Sequence, residues 1–148
     1  MEYDVIPQPR EIKLYGDNIA LGAVEGDFIQ CQKVFIKYLS SLYNILPGGK
    51  GARLSVRASQ SLQAESYEIS CLENEIIISA SDALGAHHAF ASLLQLSQAE
   101  EGRIYIPRVQ IKDAPDCPYR GLMVDVARCF HDIKFLYDYI DVCYYYKL

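Results

Sequence analysis

The stretch at 119–130, YRGLMVDVARCF, constrains this chain more than any other. A broken segment, DAPDCP at 113–118, leads into it. Leu122, Met123, Val124, Val126 and Ala127 then form an apolar run, with Asp125 inside it and Arg120 and Arg128 flanking it. A continuous apolar run between breakers is the pattern of a strand buried on both faces. Charged groups are rarely buried without partners, so Asp125 and the two arginines each require one. Two readings stay open: structural ion pairing, or a ligand site at the strand ends.

Such a strand needs other elements to cover it, and the upstream pattern supplies them. Pro7, Pro9, Gly16 and Gly22 interrupt β-like pieces at 11–14 and 19–21, which predicts an extended arm with one or two short strands over residues 1–25. Phe28, Cys31, Phe35, Leu39, Leu42 and Leu46 recur at spacings of three and four, predicting a helix over 27–46. Asp27 is its expected N-cap, and Pro47-Gly48-Gly49 its stop. Residues 52–59 alternate apolar and polar, as a strand with one wet face does. Residues 66–72 and 75–81 are two β runs about the turn Glu73-Asn74, an antiparallel hairpin.

A second helix is predicted over 82–97, capped by Asp82 and carrying a wide apolar stripe from Leu84 to Leu96. Residues 103–112 are β-like around Pro107, which removes a ladder donor and predicts an edge or bent strand. A last helix is predicted over 132–148, with Ile133, Leu136, Ile140 and Cys143 on one face. The expected fold is α+β: an antiparallel sheet with two helices on one face, followed by one β/α unit. A lone β/α unit cannot cover both faces of its strand, so it has the character of the opening of a parallel β/α domain.

With 148 residues the chain suffices for one compact domain with a real core. The formal net charge of −5 has no basic block within it, which argues against nucleic-acid and anionic-membrane surfaces. No apolar run approaches the roughly 20 residues of a bilayer span. The start, MEYDVIPQPR, has neither a basic n-region nor an apolar h-region, so no signal peptide is expected. Cys31, Cys71, Cys117, Cys129 and Cys143 lack metal-ligand and C-x-x-C spacing. They read as reduced thiols and point toward a reducing compartment.

Chemistry-bearing residues are sparse. His87 and His88 are helix neighbours about 100° apart and do not converge on one metal. His131 stands beside the apolar stretch, as a structural or a site-lining residue. Asp113 and Asp116 flank Pro115, where turn formation is the default role. No phosphate-binding glycine loop, nucleophile elbow or H-E-x-x-H motif is present. Composition, periodicity and spacing reveal no complete active site, no metal ligand set and no cofactor motif.

The opening stretch resembles the first barrel strand of the family 20 glycoside hydrolases, the β-N-acetylhexosaminidases. There a segment of the form D-A-P-x-F-x-x-R-G-L-x-x-D-x-A/S-R-H-F begins the catalytic barrel, and residues 113–130 here read DAPDCPYRGLMVDVARCF. FLYDYIDVCYYYKL after it is similar to the family's first barrel helix. VIPQPREIKL near the start, and ESYEISCLENEIIISASDALGAHHAFASLLQL, resemble the family's non-catalytic α+β domain. The resemblance implies two parts: a non-catalytic domain over 1–112, and over 113–148 the first strand and helix of an incomplete TIM barrel. It implies that Arg120 hydrogen-bonds hydroxyls of a terminal N-acetylhexosamine, a task suited to a guanidinium fork. Asp125 and Arg128 would support the strand end. Cys129 stands where family members usually have His.

The family's catalytic Asp-Glu pair, which acts by substrate assistance, lies near the middle of a barrel of about 250 residues. No catalytic residue is therefore expected in this chain, and the chain alone is expected to be inactive. The implied partner is a glycan ending in N-acetylglucosamine or N-acetylgalactosamine. No cofactor, metal, nucleic acid or membrane is expected. Family members are often secreted, periplasmic or lysosomal. Two alternatives remain: a binding or scaffolding module that orients a partner domain, and self-association through the orphan strand–helix unit.

Overall fold

A computed structural model describes residues 4–72 and 74–148. Met1–Tyr3, the beginning of the predicted arm and of the signal-peptide reading, and Glu73 of the predicted turn lie outside the described residues. The elements are β1 (Glu11–Gly26), α1 (Ile29–Tyr43), β2 (Ala52–Ala58), β3 (Tyr67–Leu72), β4 (Glu75–Ala80), α2 (Ala83–Leu96), β5 (Gln98–Glu100), β6 (Arg103–Asp113) and α3 (Ile133–Tyr145).

The predicted arm is one strand of 16 residues. Its two β-like pieces are joined through an irregularity between Leu14 and Asn18, at which Gly16 takes φ +94°. The first part of β1 runs antiparallel to β6, from Glu11 opposite Lys112 to Ala20 opposite Tyr105. The last part runs parallel to β2, from Leu21 opposite Ala52 to Gly26 opposite Val56. β2 is also parallel to β4. The sheet is therefore mixed, and the expectation of an antiparallel sheet is corrected. α1 is the crossover helix that a parallel β1–β2 pair requires. Taking residues 1–25 as an arm concealed that strand–helix–strand unit.

The sheet order is β1-β2-β4-β3-β6-β5, with β1 also paired to β6. β6 is thus interior, not an edge. Pro107 is tolerated because β5 pairs only as far as Tyr105 and β3 begins at Val109. Between them no donor is required of β6 on that side. The β3/β4 hairpin forms as predicted, from Tyr67 opposite Ala80 to Leu72 opposite Glu75. β5 and the start of β6 make a second hairpin, from Gln98 opposite Tyr105 to Glu100 opposite Arg103. Glu101 and Gly102 both take positive φ, 49° and 73°, the twist that two-residue hairpin turns favour.

α1 and α2 cover one face of the sheet. Phe35 and Phe90 are fully buried and stack with ring centroids 4.6 Å apart. Burial of each such side chain contributes roughly 1.5–3 kcal/mol. The other sheet face carries Glu68, Ser70, Gln110 and Lys112 along an open groove. Leu42, Leu46 and Leu84, assigned to apolar stripes by spacing, are exposed. Asp82 caps α2 as expected, accepting from Gly85 N at 2.8 Å. Asp27 does not cap α1: Phe28 is the cap residue, and the Asp27 carboxylate accepts instead from Ala58 N at 2.8 Å.

The stretch at 119–130 forms no strand. Tyr119 and Met123 are each 88% exposed and Phe130 85%. The predicted doubly buried strand is not built by the described residues, because none of their strands offers it a ladder. α3 is present, capped by Asp132 through Phe135 N at 2.7 Å. Its predicted apolar face is only partly covered: Ile133 and Ile140 are exposed, while Leu136 and Cys143 are half-buried. Contact with the domain comes through its C-terminal turn instead. Tyr144 stacks on Tyr38 at 4.7 Å, and the Tyr38 hydroxyl donates to Asp141 at 2.5 Å.

Candidate functional site

The main body of the domain and residues 114–148 meet at a seam built from charged and polar groups. Tyr67 begins β3, and Asp113 ends β6 directly across the ladder from it. Lys147 follows α3 and is 6% exposed. Its ammonium donates to Asp113 Oδ2 at 3.1 Å and to the Tyr67 hydroxyl at 2.9 Å. Tyr67 donates to Asp113 Oδ2 at 2.8 Å, and its oxygen lies 2.7 Å from Ser92 Oγ on α2. Every group in this cluster has a partner, as burial demands. Burial lowers the Lys147 pKa, with Asp113 opposing. Burial, reinforced by the charge of Asp113, raises that of Tyr67. Asp113, expected to be a turn residue, is therefore the half-buried counter-ion of Lys147. Asp116 pairs at the surface with Arg10, at 2.9 Å.

Arg120 lies beside this cluster, in a cleft of about 460 Å³ lined also by Glu65, His88, Asp113 and Tyr119. Its Nε donates to Lys147 O at 3.0 Å, Nη1 to Cys117 O at 2.7 Å, and Nη2 to Glu65 Oε2 at 2.5 Å. Nη2 also lies 3.5 Å from His88 Nε2. A guanidinium has five N–H donors; these contacts occupy four of them, and one N–H on Nη1 is left over. Burial, helped by the charges of Arg120 and Lys147, lowers the His88 pKa, against the opposing effect of the Glu65 carbonyl and carboxylate.

Asp125 and Arg128 are not drawn into the cleft. They pair with each other, Arg128 Nε donating to Asp125 Oδ2 at 2.5 Å, and Asp125 also accepts from Ala127 N and Arg128 N at 3.0 Å. These bonds, the one from Arg128 N first, hold its carboxyl below the usual carboxylate range. His131 stacks on Phe135 at 4.1 Å and does not line the cleft. His87 packs edge-on against Tyr144 at 5.5 Å. Cys31 and Cys71 are buried, while Cys117 and Cys129 are exposed. Among the described residues no cluster of three His, Cys, Asp or Glu converges as a metal site.

Sequence reasoning selected Arg120 and missed Glu65, His88, Tyr67, Asp113 and Lys147 around it. The hairpin and helix patterns do place Tyr67 at a strand start and His88 one turn into α2. The partnership with Lys147, 80 residues from Tyr67, has no local signal.

The family model described as glycosyl hydrolase family 20, domain 2, matches residues 2–114. The chain is 31% identical over 150 aligned residues to a beta-hexosaminidase of Vibrio furnissii, covering 97% of this chain and 24% of that protein. It is 39% identical over 82 residues to the N,N'-diacetylchitobiase of Vibrio harveyi, covering 55% of this chain and 9% of that one. Its structure superposes on that of an exo-β-N-acetylglucosaminidase from Vibrio harveyi in complex with N-acetylglucosamine. The TM-score is 0.86 at 25% identity, over 97% of this chain and 24% of the other. The chain thus spans about a quarter or less of the length of these relatives.

Proposed function

The chain belongs to glycosyl hydrolase family 20, and from that membership we propose that it is the N-terminal part of a β-N-acetylhexosaminidase. The whole enzyme would remove terminal N-acetylglucosamine or N-acetylgalactosamine from glycans by substrate-assisted hydrolysis. Residues 1–112 are its non-catalytic α+β domain. Residues 113–148 are the first strand and helix of a (β/α)8 catalytic domain. The observation that carries this reading is the family match over 2–114 running directly into DAPDCPYRGLMVDVARCF. The exposure of that apolar stretch in this chain supports the barrel assignment, since a barrel strand takes its cover from neighbours on both sides.

In this reading Arg120 binds the sugar. It lies in a cleft at the seam with one unused N–H on Nη1, which can meet a sugar hydroxyl. Asp125 and Arg128 hold the turn that follows. The chain itself supplies no catalytic residue. Assayed with a chromogenic N-acetylglucosaminide, it releases no product above a blank. Turnover by the isolated chain that Arg120→Ala abolishes would sink this reading. In the enzyme that carries this chain with its catalytic domain, Arg120→Ala lowers kcat/KM by about tenfold, as expected for one lost charge-assisted hydrogen bond.

A second reading is favoured by the seam: the α+β domain is a scaffold that orients a partner domain, through Glu65 and the cluster of Tyr67, Asp113 and Lys147. Retained affinity of residues 1–112 for a glycan would support this binding or scaffolding reading, and titration showing no binding at millimolar ligand would count against it. The exposed run at 119–130 would also suit self-association, which light scattering showing a strict monomer would exclude.

A further inference from the structure

One segment covers both histidines of α2. His87 packs edge-on against Tyr144 of α3, ring centroids 5.5 Å apart. Its Nδ1 is buried and has no hydrogen-bond partner among the described residues. The groups around Tyr144 offer it no free anion: Tyr38 and Cys31 of α1 face that ring, and Asp141 accepts from the Tyr38 hydroxyl. A proton added to His87 would be a buried charge without a partner, which is costly. His88 points about 100° away, into the cleft. Its Nδ1 lies 3.4 Å from the carbonyl of Glu65, which stands at φ 61° in the β2–β3 connection, and its Nε2 lies 3.5 Å from Arg120 Nη2. Arg120 can only donate. Nε2 is therefore the acceptor, and the ring proton sits on Nδ1, toward the carbonyl. A second proton, on Nε2, would set donor against donor. The charges facing His88 are Glu65 of the main body, and Arg120 and Lys147 of the second part.

We propose that His87 and His88 form an acid-sensitive latch: protonating them releases residues 114–148 from the α+β domain. Lifting that segment away takes Tyr144 from His87, and Arg120 and Lys147 from His88, so one motion relieves both charges. Burial holds the pKa of each ring below its ordinary value. Docking is therefore favoured fully above the free value of about 6.5 and weakens as pH falls toward the docked one. Gln95 Nε2, donating to Tyr145 O at 2.8 Å, and Lys147, donating to Asp113, hold the same turn without a histidine. Acid thus shifts a population between docked and undocked states. The latch is a property of the seam alone and needs no sugar contact by Arg120.

The test uses the full chain and follows amide exchange in α3 between pH 7.5 and 5.5, corrected for the intrinsic pH dependence of exchange. Local opening of the last turn of α3 rises by up to about tenfold for each histidine, as the uptake of one proton with a free value of about 6.5 allows. Amides of β3 and β4 keep their protection, since the release is local. His87→Gln and His88→Gln each remove part of the rise, and the double variant is flat. His131→Gln, at a ring that stacks on Phe135 within the second part, keeps the whole rise. The chain has 12 tyrosines and no tryptophan, so near-ultraviolet circular dichroism follows loss of the Tyr38–Tyr144 stack over the same range.

No rise in the wild type, a rise undiminished in either single variant, or one that survives in the double variant overturns the paired latch. So does equal acceleration in β3 and β4, which would make the event global unfolding. Should the double variant fold poorly, proton NMR of the histidine rings in the wild type decides. His87 and His88 then titrate below about 6.5, and the opening of α3 tracks them. Titration of either ring at or above that value, or opening that tracks neither, refutes the proposal.

Discussion

Two parts of this molecule use apolar residues in opposite ways. Among the described residues, every buried hydrophobic side chain lies between Val5 and Ile111. Beyond Asp113, Leu122, Met123, Val126, Phe130, Ile133, Tyr137 and Ile140 are all exposed, and α3 buries none of its residues. Composition does not separate the two parts; available neighbours do. The first part has a sheet with two helices across one face, so its alternating strands and striped helices cover each other. The second has an extended stretch and one helix, which together enclose nothing. It is held instead by polar anchors, Lys147 and Arg120, and by the stack of Tyr144 on Tyr38. Apolar pattern states what a segment requires, and only the fold states whether the requirement is met.

Paired truncations in the two parts break or sharpen this contrast most strongly. Phe90→Ala removes a fully buried ring from the stack with Phe35 and is expected to cost about 3–5 kcal/mol. Phe130→Ala, at a ring 85% exposed, is expected to stay within about 0.5 kcal/mol. Urea unfolding monitored by circular dichroism gives both values. Equal losses would mean that the exposed stretch is covered in solution and that the contrast is wrong.

The anchor comes next in size. Lys147→Ala leaves the Asp113 carboxylate beside Tyr67 without its cation, in a pair only 6% and 14% exposed. Removing one partner of such a pair costs about 3 kcal/mol. The loss concentrates in the second part: amide exchange in α3 accelerates, while amides of β3 and β4 keep most of their protection. Uniform acceleration would make the whole chain one cooperative unit.

The two helix caps test the same division more gently. Asp82 and Asp132 each accept from the amide three residues on, at 2.8 and 2.7 Å. Asp82 also holds Glu65 N and lies against the core. Asp82→Ala is expected to lower global stability by about 1–2 kcal/mol. Asp132→Ala reduces the helicity of α3 and moves the main urea transition by less than about 0.5 kcal/mol.

These residues also show where sequence patterns suffice. α2 was legible from cap to last turn, Leu84 of its stripe apart, because its periodicity and its cap both act within a few residues. The β3/β4 hairpin was legible for the same reason. Asp27 had the same local credentials as Asp82, yet its carboxylate serves Ala58, 31 residues away; a tertiary partner won over the helix end. The irregularity at Gly16 divided β1 into two apparent strands, and that hid the crossover and the parallel pairing. At the site, Arg120 was found through family likeness alone. Its partner Glu65 lies 55 residues upstream, in a loop whose φ no sequence pattern reveals. The run at 119–130 carries a strand's pattern, but pairing requires strands that the described residues do not supply.

The smallest effect expected is a pH step that belongs to the seam. Burial is the main cause that lowers the His88 pKa; the nearby charges of Arg120 and Lys147 add to it, while the carbonyl and the charge of Glu65 oppose it. Burial lowers that of His87 also. A base whose folded-state pKa is depressed stabilises the fold in its neutral form. That stability is fully present above the unfolded value of about 6.5 and is lost as pH falls toward the folded one. The urea midpoint should therefore fall between pH 7.5 and the onset of carboxylate titration. His88→Gln and His87→Gln should each remove part of the fall, with the His88 share accompanied by release of Arg120. Asp125 gives the contrast. Its carboxyl is lowered by bonds from Arg128 and Ala127, but it sits in an exposed turn of the second part, so Asp125→Asn should leave the profile unchanged in this window. A fall that survives both histidine substitutions would place the acid sensitivity outside the seam.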